Sequence, residues 1–313
     1  MKNKLVRGVA IGASVAMALS LSACGRSGTE GEGDAGTVSL AVSTLNNPFF
    51  IQLRDGAQAA ADEAGINLEV VDAQNDASVQ QNQMTNAATQ GVDVAIINPV
   101  DSDAAAAAVT PLINGDIPVI AVDRTVEGQE VASTVSSDNV AGGRQAADAL
   151  AEAIGEEGDV IVLQGVPGTS ASRDRGAGFA EGIEAYPNIN VVASQPANFD
   201  RAQGLDVATN LLQSHPDVVA IFAENDEMAL GAIQALGDRA GKDVFVFGFD
   251  GTEGAMSAIQ EGTLHGTIAQ QPAELGRKAI ELALKLMNGE EVDSETPVEV
   301  KTVTAENVEE FMN

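Results

Sequence analysis

Short apolar runs rich in β-branched residues alternate with longer segments of helical periodicity between Thr37 and Thr304. Near-continuous apolar strands separated by helices are typical of parallel sheets that are covered on both faces. Nine or more such runs fit two doubly wound parallel-sheet lobes better than one sheet, so the pattern predicts an α/β fold of two lobes. The runs are 38–44, 67–73, 93–99, 118–123, 131–137, 159–165, 189–195, 218–224, 244–250 and 266–270, and helices are expected at 48–65, 139–155 and 226–241 among others.

The first 23 residues have the pattern of an export signal. A basic start, MKNKLVR, precedes an apolar run at 9–21, which is shorter than the roughly 20 residues that span a bilayer. The next residues, LSAC, are similar to the lipobox of bacterial lipoproteins, in which the cysteine is lipidated and becomes the new N-terminus. Residues 1–23 are therefore predicted to be a signal peptide and Cys24 a lipid anchor; an ordinary signal peptide with an incidental cysteine is the alternative.

The segment after Cys24 reads GRSGTEGEGDAG and lacks any apolar anchor. Such a segment cannot bury enough surface to order itself, so residues 24–36 are predicted to be the lipidated cysteine and a flexible tether. Cys24 is also the only cysteine, which excludes an intramolecular disulfide. Together these features predict an extracytoplasmic lipoprotein held at the membrane.

The chain is strongly acidic, with a net charge of -30 at pH 7 and no cluster of lysine or arginine. Phosphate neutralisation requires a basic surface, so nucleic acid is excluded as a partner. The acidity itself indicates solubility more than it identifies a ligand.

Polar and aromatic residues follow the ends of several predicted strands, where ligands of open α/β sheets bind. Carboxylates accept hydroxyl protons, arginine donates a rigid fork, amides do both, and phenylalanine can cover the C–H face of a sugar. Aromatic residues make up only 3% of the chain, so two consecutive phenylalanines at one strand end stand out. The strand-end residues are Asn46, Asn47, Phe49, Phe50, Asp123, Arg124, Asn225, Asp226, Asp250 and Gln270. Of the adjacent pair, Asp226 is expected to cap the next helix and to leave Asn225 available for a ligand.

Motifs for catalysis or cofactor binding are missing from the sequence. His215 and His265 are the only histidines, and neither a phosphate-binding loop, a dinucleotide fingerprint nor a G-x-S-x-G elbow occurs. We therefore expect no cofactor, no metal and no catalytic site.

Nine segments in order along the chain resemble the bacterial ribose-binding protein family, and the likeness runs from about Thr37 to Thr304. They are STLNNPFF (43–50), INPVDSDA (97–104), DR (123–124), SDNVAGG (137–143), LQGVPGTSASRDRG (163–176), SQPANFDR (194–201), NDEMALGA (225–232), GFDGT (248–252) and TIAQ (267–270).

The resemblance implies a type I periplasmic-binding-protein clamshell, with a sugar held between two lobes that a three-crossing hinge joins. It places the N-terminal lobe at 37–137 plus 271–299 and the C-terminal lobe at 138–270 plus 300–313. It further implies a monomer that delivers a pentose, D-ribose, to the permease of an ABC transporter. The implied sugar contacts are Ser43, Asn47, Phe49, Phe50, Asp123, Arg124, Arg175, Phe199, Asn225, Asp250 and Gln270. Spacing favours Arg175 over Arg173, which is expected to support the start of its helix.

Three other functions are compatible with parts of the sequence. The same binding role could serve a hexose or a furanose-like quorum signal. A sugar-modifying enzyme could use Asp123 and Asp250 as acid and base. A repressor core of the same fold would carry a DNA-binding module where this chain has its export signal.

Overall fold

The computed structural model describes residues 36–312, so the predicted signal peptide, Cys24 and all of the tether except Gly36 lie outside the described residues. The described part contains twelve strands. They are β1 (Thr37–Val42), β2 (Asn67–Asp72), β3 (Val94–Ile97), β4 (Val119–Val122), β5 (Ser133–Ser137), β6 (Glu157–Gln164), β7 (Asn188–Pro196), β8 (Ala220–Ala223), β9 (Phe245–Asp250), β10 (Gly266–Ala269), β11 (Glu295–Val298) and β12 (Lys301–Thr304).

Nine α-helices within residues 36–312 cover these strands. They are α1 (Pro48–Ala64), α2 (Ala77–Gln90), α3 (Ala105–Asn114), α4 (Asn139–Ile154), α5 (Ser170–Ile183), α6 (Arg201–Ser214), α7 (Asp226–Leu236), α8 (Glu253–Gln260) and α9 (Pro272–Met287). The helix predicted at 226–241 ends at Leu236, and a 3₁₀ turn continues it to Arg239.

The strands form two six-stranded sheets, one in each lobe, which confirms the two-lobe α/β fold. The strand order is β11-β5-β4-β3-β1-β2 in the first sheet and β12-β10-β9-β8-β6-β7 in the second. All neighbours are parallel except β12, which pairs antiparallel with β10. The central strands β3, β4 and β8 are wholly buried, which explains their unbroken apolar sequences.

The chain passes between the sheets three times. It leaves the first sheet after β5, returns after β10 through α9, and crosses again between β11 and β12. The two edge strands β11 and β12 were not among the predicted runs, because ETPV and KTVT are short, polar and partly exposed.

Glycines let three helix pairs approach until their backbones touch. In the pair α4–α5, a Cβ on Gly143 would lie 2.3 Å from the carbonyl oxygen of Arg175, and one on Gly178 would lie 2.1 Å from that of Val140. Reciprocal glycines also join α1 to α9 and α6 to α7. The contact at Gly143 and Gly178 fixes the position of α5 against α4. Because Arg175 lies on α5, the same contact fixes the position from which its side chain enters the space between the lobes.

Replacing Gly178 by alanine should destabilise the protein. Alanine is favoured over glycine inside a helix by about 1 kcal/mol, but overpacking a rigid contact costs roughly 1–3 kcal/mol. Urea unfolding should therefore show a lower free energy of unfolding for Gly178→Ala. Gly254→Ala is the matched control, since its new Cβ meets the flexible end of Leu230 at 3.0 Å. Equal stability of both variants would contradict this account of helix packing.

Candidate functional site

A small cavity lies between the lobes at the carboxyl ends of the strands. Nine of the eleven predicted contacts line it, together with Ala171 on α5, which sequence reasoning missed. The lining residues are Asn47, Phe49, Phe50, Asp123, Arg124, Ala171, Arg175, Phe199, Asn225 and Asp250. The other two predicted residues, Ser43 and Gln270, are buried after β1 and β10.

The first lobe contributes a buried aspartate and a buried arginine in consecutive positions after β4. Asp123 Oδ2 accepts a hydrogen bond from Asn98 Nδ2 at 3.1 Å and lies 3.6 Å from Arg124 Nε. Arg124 Nη1 donates to the carbonyl of Pro99 at 2.7 Å. Asn98 and Pro99 directly follow β3, so the ends of two neighbouring strands hold this pair in place.

The second lobe contributes a matching pair. Arg175 Nε donates to Asn139 Oδ1 at 2.9 Å, and its Nη1 donates to the carbonyl of Glu224 at 2.7 Å. The same Nη1 lies 3.4 Å from Asp250 Oδ1, which also accepts from Gln270 Nε2 at 2.7 Å. The guanidinium is thus fixed by α4, β8 and β9 together.

Aromatic rings complete the walls. The Arg124 guanidinium lies 5.3 Å from the centre of the Phe50 ring and 5.6 Å from that of Phe199, and Arg175 is also 5.6 Å from Phe199. Phe199 lies in the second lobe, but its ring faces the Arg124 guanidinium of the first lobe as well as the Arg175 guanidinium of its own lobe. A Cβ on Gly165 would lie 2.0 Å from the Phe199 ring, so this ring position requires glycine there.

Burial shifts the ionisation of the charged groups in this cavity. It raises the pKa of Asp123 above its ordinary value, although the charges of Arg124 and Arg175 oppose the shift. It raises the pKa of Asp250 strongly, again opposed by Arg175, and it lowers the pKa of Arg124. Ionised groups in this position are stabilised by any ligand that brings hydrogen-bond partners.

Three cavity residues other than glycine hold left-handed backbone conformations. The φ angle is 67° at Asp123, 57° at Phe199 and 124° at Asp250. Such conformations cost of order 1–3 kcal/mol each and cluster at functional sites. Here they turn the side chains at the strand ends into the cavity.

Two polar atoms of residues that line this cavity, Asp123 Oδ1 and Arg124 Nε, have no hydrogen-bond partner within residues 36–312. Ser43 Oγ and Gln270 Oε1, on buried residues outside the lining, also have none in that range. Buried polar groups are almost always paired, so an unpaired acceptor and donor in one cavity indicate a polar ligand. A neutral ring with several hydroxyl groups, each both donor and acceptor, can pair with both.

The structure corrects the expected capping of α7. Asn225, not Asp226, is the N-cap: its Oδ1 accepts from the backbone N–H of Met228 at 3.0 Å. Its Nδ2 donates to the Phe199 carbonyl at 3.3 Å. Asp226 is buried on the other side, where it accepts from Thr267 Oγ1 at 2.6 Å and Thr252 N at 2.7 Å.

Arg173 has two roles, of which the sequence indicated one. Its Nη1 donates to the Gly168 carbonyl before α5, at 3.3 Å, as expected for a residue that supports the helix start. Its Nη2 forms an ion pair at 2.8 Å with Glu127 of the first lobe.

Two further contacts beside this ion pair join the lobes outside the cavity. Ser170 Oγ accepts from the N–H of Thr125 at 2.9 Å, and its own N–H donates to Ser102 Oγ at 3.1 Å. Together with Phe199, these contacts close the two lobes over the cavity.

Within the same described range, no group of histidine, cysteine and acidic residues is arranged to hold a metal ion. In residues 36–312 no helix is both long and apolar enough to cross a membrane.

Comparison with known proteins identifies the family. A profile of the periplasmic binding protein domain matches residues 38–291. The chain is 49% identical over 267 residues to the ribose import binding protein RbsB of Escherichia coli (strain K12), covering 85% of this chain and 90% of that protein. It is 44% identical over 268 residues to the protein of that name from Bacillus subtilis (strain 168), covering 86% and 87%.

Solved structures agree with this assignment. The Caulobacter myo-inositol binding protein bound to myo-inositol matches with a TM-score of 0.85 and 33% identity, over 89% of this chain and 96% of that one. A solute binding protein from Actinobacillus succinogenes with bound D-allose matches with a TM-score of 0.83 and 35% identity, over 88% and 99%. The fold, the position of the cavity and these matches agree, and the chain belongs to the periplasmic binding protein domain family.

Proposed function

We propose that this protein captures a pentose, D-ribose, between its two lobes outside the cytoplasm and delivers it to an ABC importer. The observation that carries the proposal is the pair of buried, unpaired polar atoms in the cavity lining, Asp123 Oδ1 and Arg124 Nε, with which a polyhydroxylated ring can pair. The ribose import binding proteins, at up to 49% identity over most of both chains, support ribose as the sugar. The eleven predicted contacts are proposed to bind the sugar.

The lining of the cavity supports a sugar as the ligand, because aromatic rings and charged groups meet in it. The rings of Phe50 and Phe199 can pack on the C–H faces of a sugar while the carboxylates and guanidinium groups bind its hydroxyl edge.

Binding is proposed to become a transport signal through closure of the lobes, placed at 37–137 plus 271–299 and at 138–270 plus 300–313. Asp123 and Arg124 approach the cavity from one lobe and Arg175 and Asn225 from the other, so neither set surrounds a ligand alone. A ligand shifts an open–closed equilibrium only by its difference in affinity for the two states. A sugar that contacts both sets therefore favours the closed form, which the importer would recognise.

This role is binding, not catalysis. The relatives are import binding proteins. Asp123 and Asp250, which the enzyme alternative needs as acid and base, are each paired with an arginine in the closed cavity.

Another sugar is the second candidate, because related proteins differ in ligand. Relatives include a xylitol-binding protein of Mycolicibacterium smegmatis at 31% identity, and the matched structures hold D-allose and myo-inositol.

Lipid anchoring through Cys24 is proposed for the N-terminus. The basic start, short apolar run and LSAC sequence support export and lipidation, and the acidic tether that follows has the composition of a flexible linker.

D-Ribose should raise the melting temperature by several degrees, whereas glucose and galactose should have little effect. A ligand that binds only the folded state stabilises it by about 2.7 kcal/mol at a hundredfold excess over Kd. The extra hydroxymethyl group of a hexose would have to fit beside Phe199 and α5, which border this small cavity. A thermal-shift screen measures this, and stabilisation by hexoses equal to that by ribose would refute the pentose assignment.

Arg175→Ala should weaken ribose binding by tenfold or more. Hydrogen bonds to charged groups are worth about 1.5–3 kcal/mol, and about 1.4 kcal/mol is a factor of ten in affinity. Arg173→Ala is the matched control, since its exposed ion pair with Glu127 is worth at most about 1 kcal/mol. Calorimetric titration of both variants tests the assignment, and a larger loss for Arg173→Ala would reverse it.

Cys24→Ala should abolish lipid attachment and leave ribose binding intact, because residues 37–304 contain every proposed contact. Metabolic labelling with a fatty-acid probe measures attachment, and the purified protein can be titrated with ribose. Label retained by the variant would remove Cys24 from the proposal.

A further inference from the structure

Glu224 is a buried carboxylate at the end of β8 that sequence reasoning did not single out. It is fully buried, and it precedes Asn225, which lines the sugar cavity. Its Oε2 accepts from the N–H of Gly165 at 2.7 Å and from the hydroxyl of Ser172. Its side chain lies beside a separate cavity that Ser172 and Arg173 also line.

Glu224 holds α5 at two points. Its carboxylate binds Ser172, and its main-chain carbonyl accepts from Arg175 Nη1 at 2.7 Å. Residues three apart on a helix share a face, so Ser172 and Arg175 are held by the same residue one turn apart. The main chain of Glu224 thus holds the Arg175 guanidinium, and its carboxylate holds Ser172 one turn earlier on the same helix.

The carboxyl group is also placed where its charge can change. Its Oε1 has no hydrogen-bond partner within residues 36–312, and burial raises its pKa to about 7. The Gly165 N–H, the Ser172 hydroxyl and the charge of Arg175 oppose this shift. Around it, α5 contributes the charged group Arg173, and β6 and β7 contribute the uncharged Gln164 and Ser194. The charge of Arg175, also on α5, acts on the same carboxyl group.

We propose that Glu224 is a positioning residue for sugar binding, and that its ionised form, by binding Ser172, holds the turn of α5 that carries Arg175. This inference rests on the proposed sugar-binding function. Charge-assisted hydrogen bonds are stronger than neutral ones, so the carboxylate holds α5 more firmly than the carboxylic acid does. Arg175, once fixed by a ligand, in turn favours the ionised carboxyl.

The sign of the pH dependence follows from this coupling. Because the bound state favours the ionised form, affinity for ribose should rise as pH increases through about 7. By reciprocity, ribose binding should lower the pKa of Glu224 and release protons near neutral pH.

The effect on stability has the opposite sign. A carboxyl whose pKa is higher in the folded state than its ordinary value stabilises the fold while protonated and loses that contribution as pH rises through the folded pKa. Ionisation of Glu224 at pH 8 therefore lowers the free energy of unfolding while it strengthens ribose binding. A residue with only a structural role would not separate these two quantities.

The test is calorimetric titration of D-ribose with wild type and Glu224→Gln between pH 6.5 and 8.5. Glutamine keeps an acceptor for Gly165 and Ser172 but has no charge. We expect roughly fivefold weaker binding by the variant at pH 8, the difference between a charge-assisted and a neutral hydrogen bond. We also expect a pH profile shallower than that of wild type, and a melting temperature at pH 8 that equals or exceeds that of wild type.

Two further variants sharpen the result. Ser172→Ala should move the midpoint of the pH profile upwards, because the Ser172 hydrogen bond lowers the pKa of Glu224. Glu227→Gln, which removes an ion pair with Arg201 within one lobe, should keep the wild-type profile. Burial raises the pKa of Asp226 to about 6 and also raises the pKa values of Asp123 and Asp250. These three carboxyl groups are present in wild type and in every variant, so the difference between the profiles isolates Glu224.

The outcomes separate the two proposals. Parallel pH profiles for wild type and Glu224→Gln, or equal losses of affinity and stability in the variant, would overturn the role of Glu224 and leave sugar binding standing. Absence of ribose binding by wild type at every pH would overturn the proposed function and this inference with it.

Discussion

The structure depends on the burial of two aspartate–arginine ion pairs that face each other between the lobes. Asp123 with Arg124 and Asp250 with Arg175 are almost fully enclosed, and taking such charges out of water costs several kcal/mol per ion. Their mutual pairing is imperfect, at 3.6 Å and 3.4 Å, and some of their hydrogen-bonding atoms have no partner in residues 36–312. Such pairs are poor stabilisers of a fold. They are suited to a ligand whose hydroxyl groups provide the missing hydrogen bonds.

The rest of the fold positions these charges. Parallel strands bring their carboxyl ends to one edge of each sheet, and left-handed residues turn Asp123, Phe199 and Asp250 inward. The glycine contact between α4 and α5 fixes the position of the helix that bears Arg175. The main-chain carbonyl of Glu224 accepts a hydrogen bond from Arg175 and fixes its guanidinium. Closure is supported by contacts outside the cavity, chiefly Arg173 with Glu127, which add to whatever the ligand provides.

Much of this could be predicted from the sequence because the informative features are local. Buried strands read as unbroken apolar runs, and the polar residues that follow them lie at the ligand edge. The edge strands β11 and β12 were missed because partial exposure leaves no apolar pattern. The prediction that Asp226 caps α7 was wrong, because the Asp226 carboxylate instead accepts hydrogen bonds from Thr252 and Thr267, which are distant in sequence. The ion pair of Arg173 and the orientation of Glu224 likewise depend on contacts between segments that no spacing rule connects.

The most direct test of the central claim is a crystal structure of the protein with D-ribose. The account predicts one ribose in the cavity, with a hydroxyl group donating to Asp123 Oδ1 from one side and Arg175 donating to the same ring from the other. A ribose bound elsewhere, or one in the cavity that leaves Asp123 Oδ1 unpaired, would contradict it.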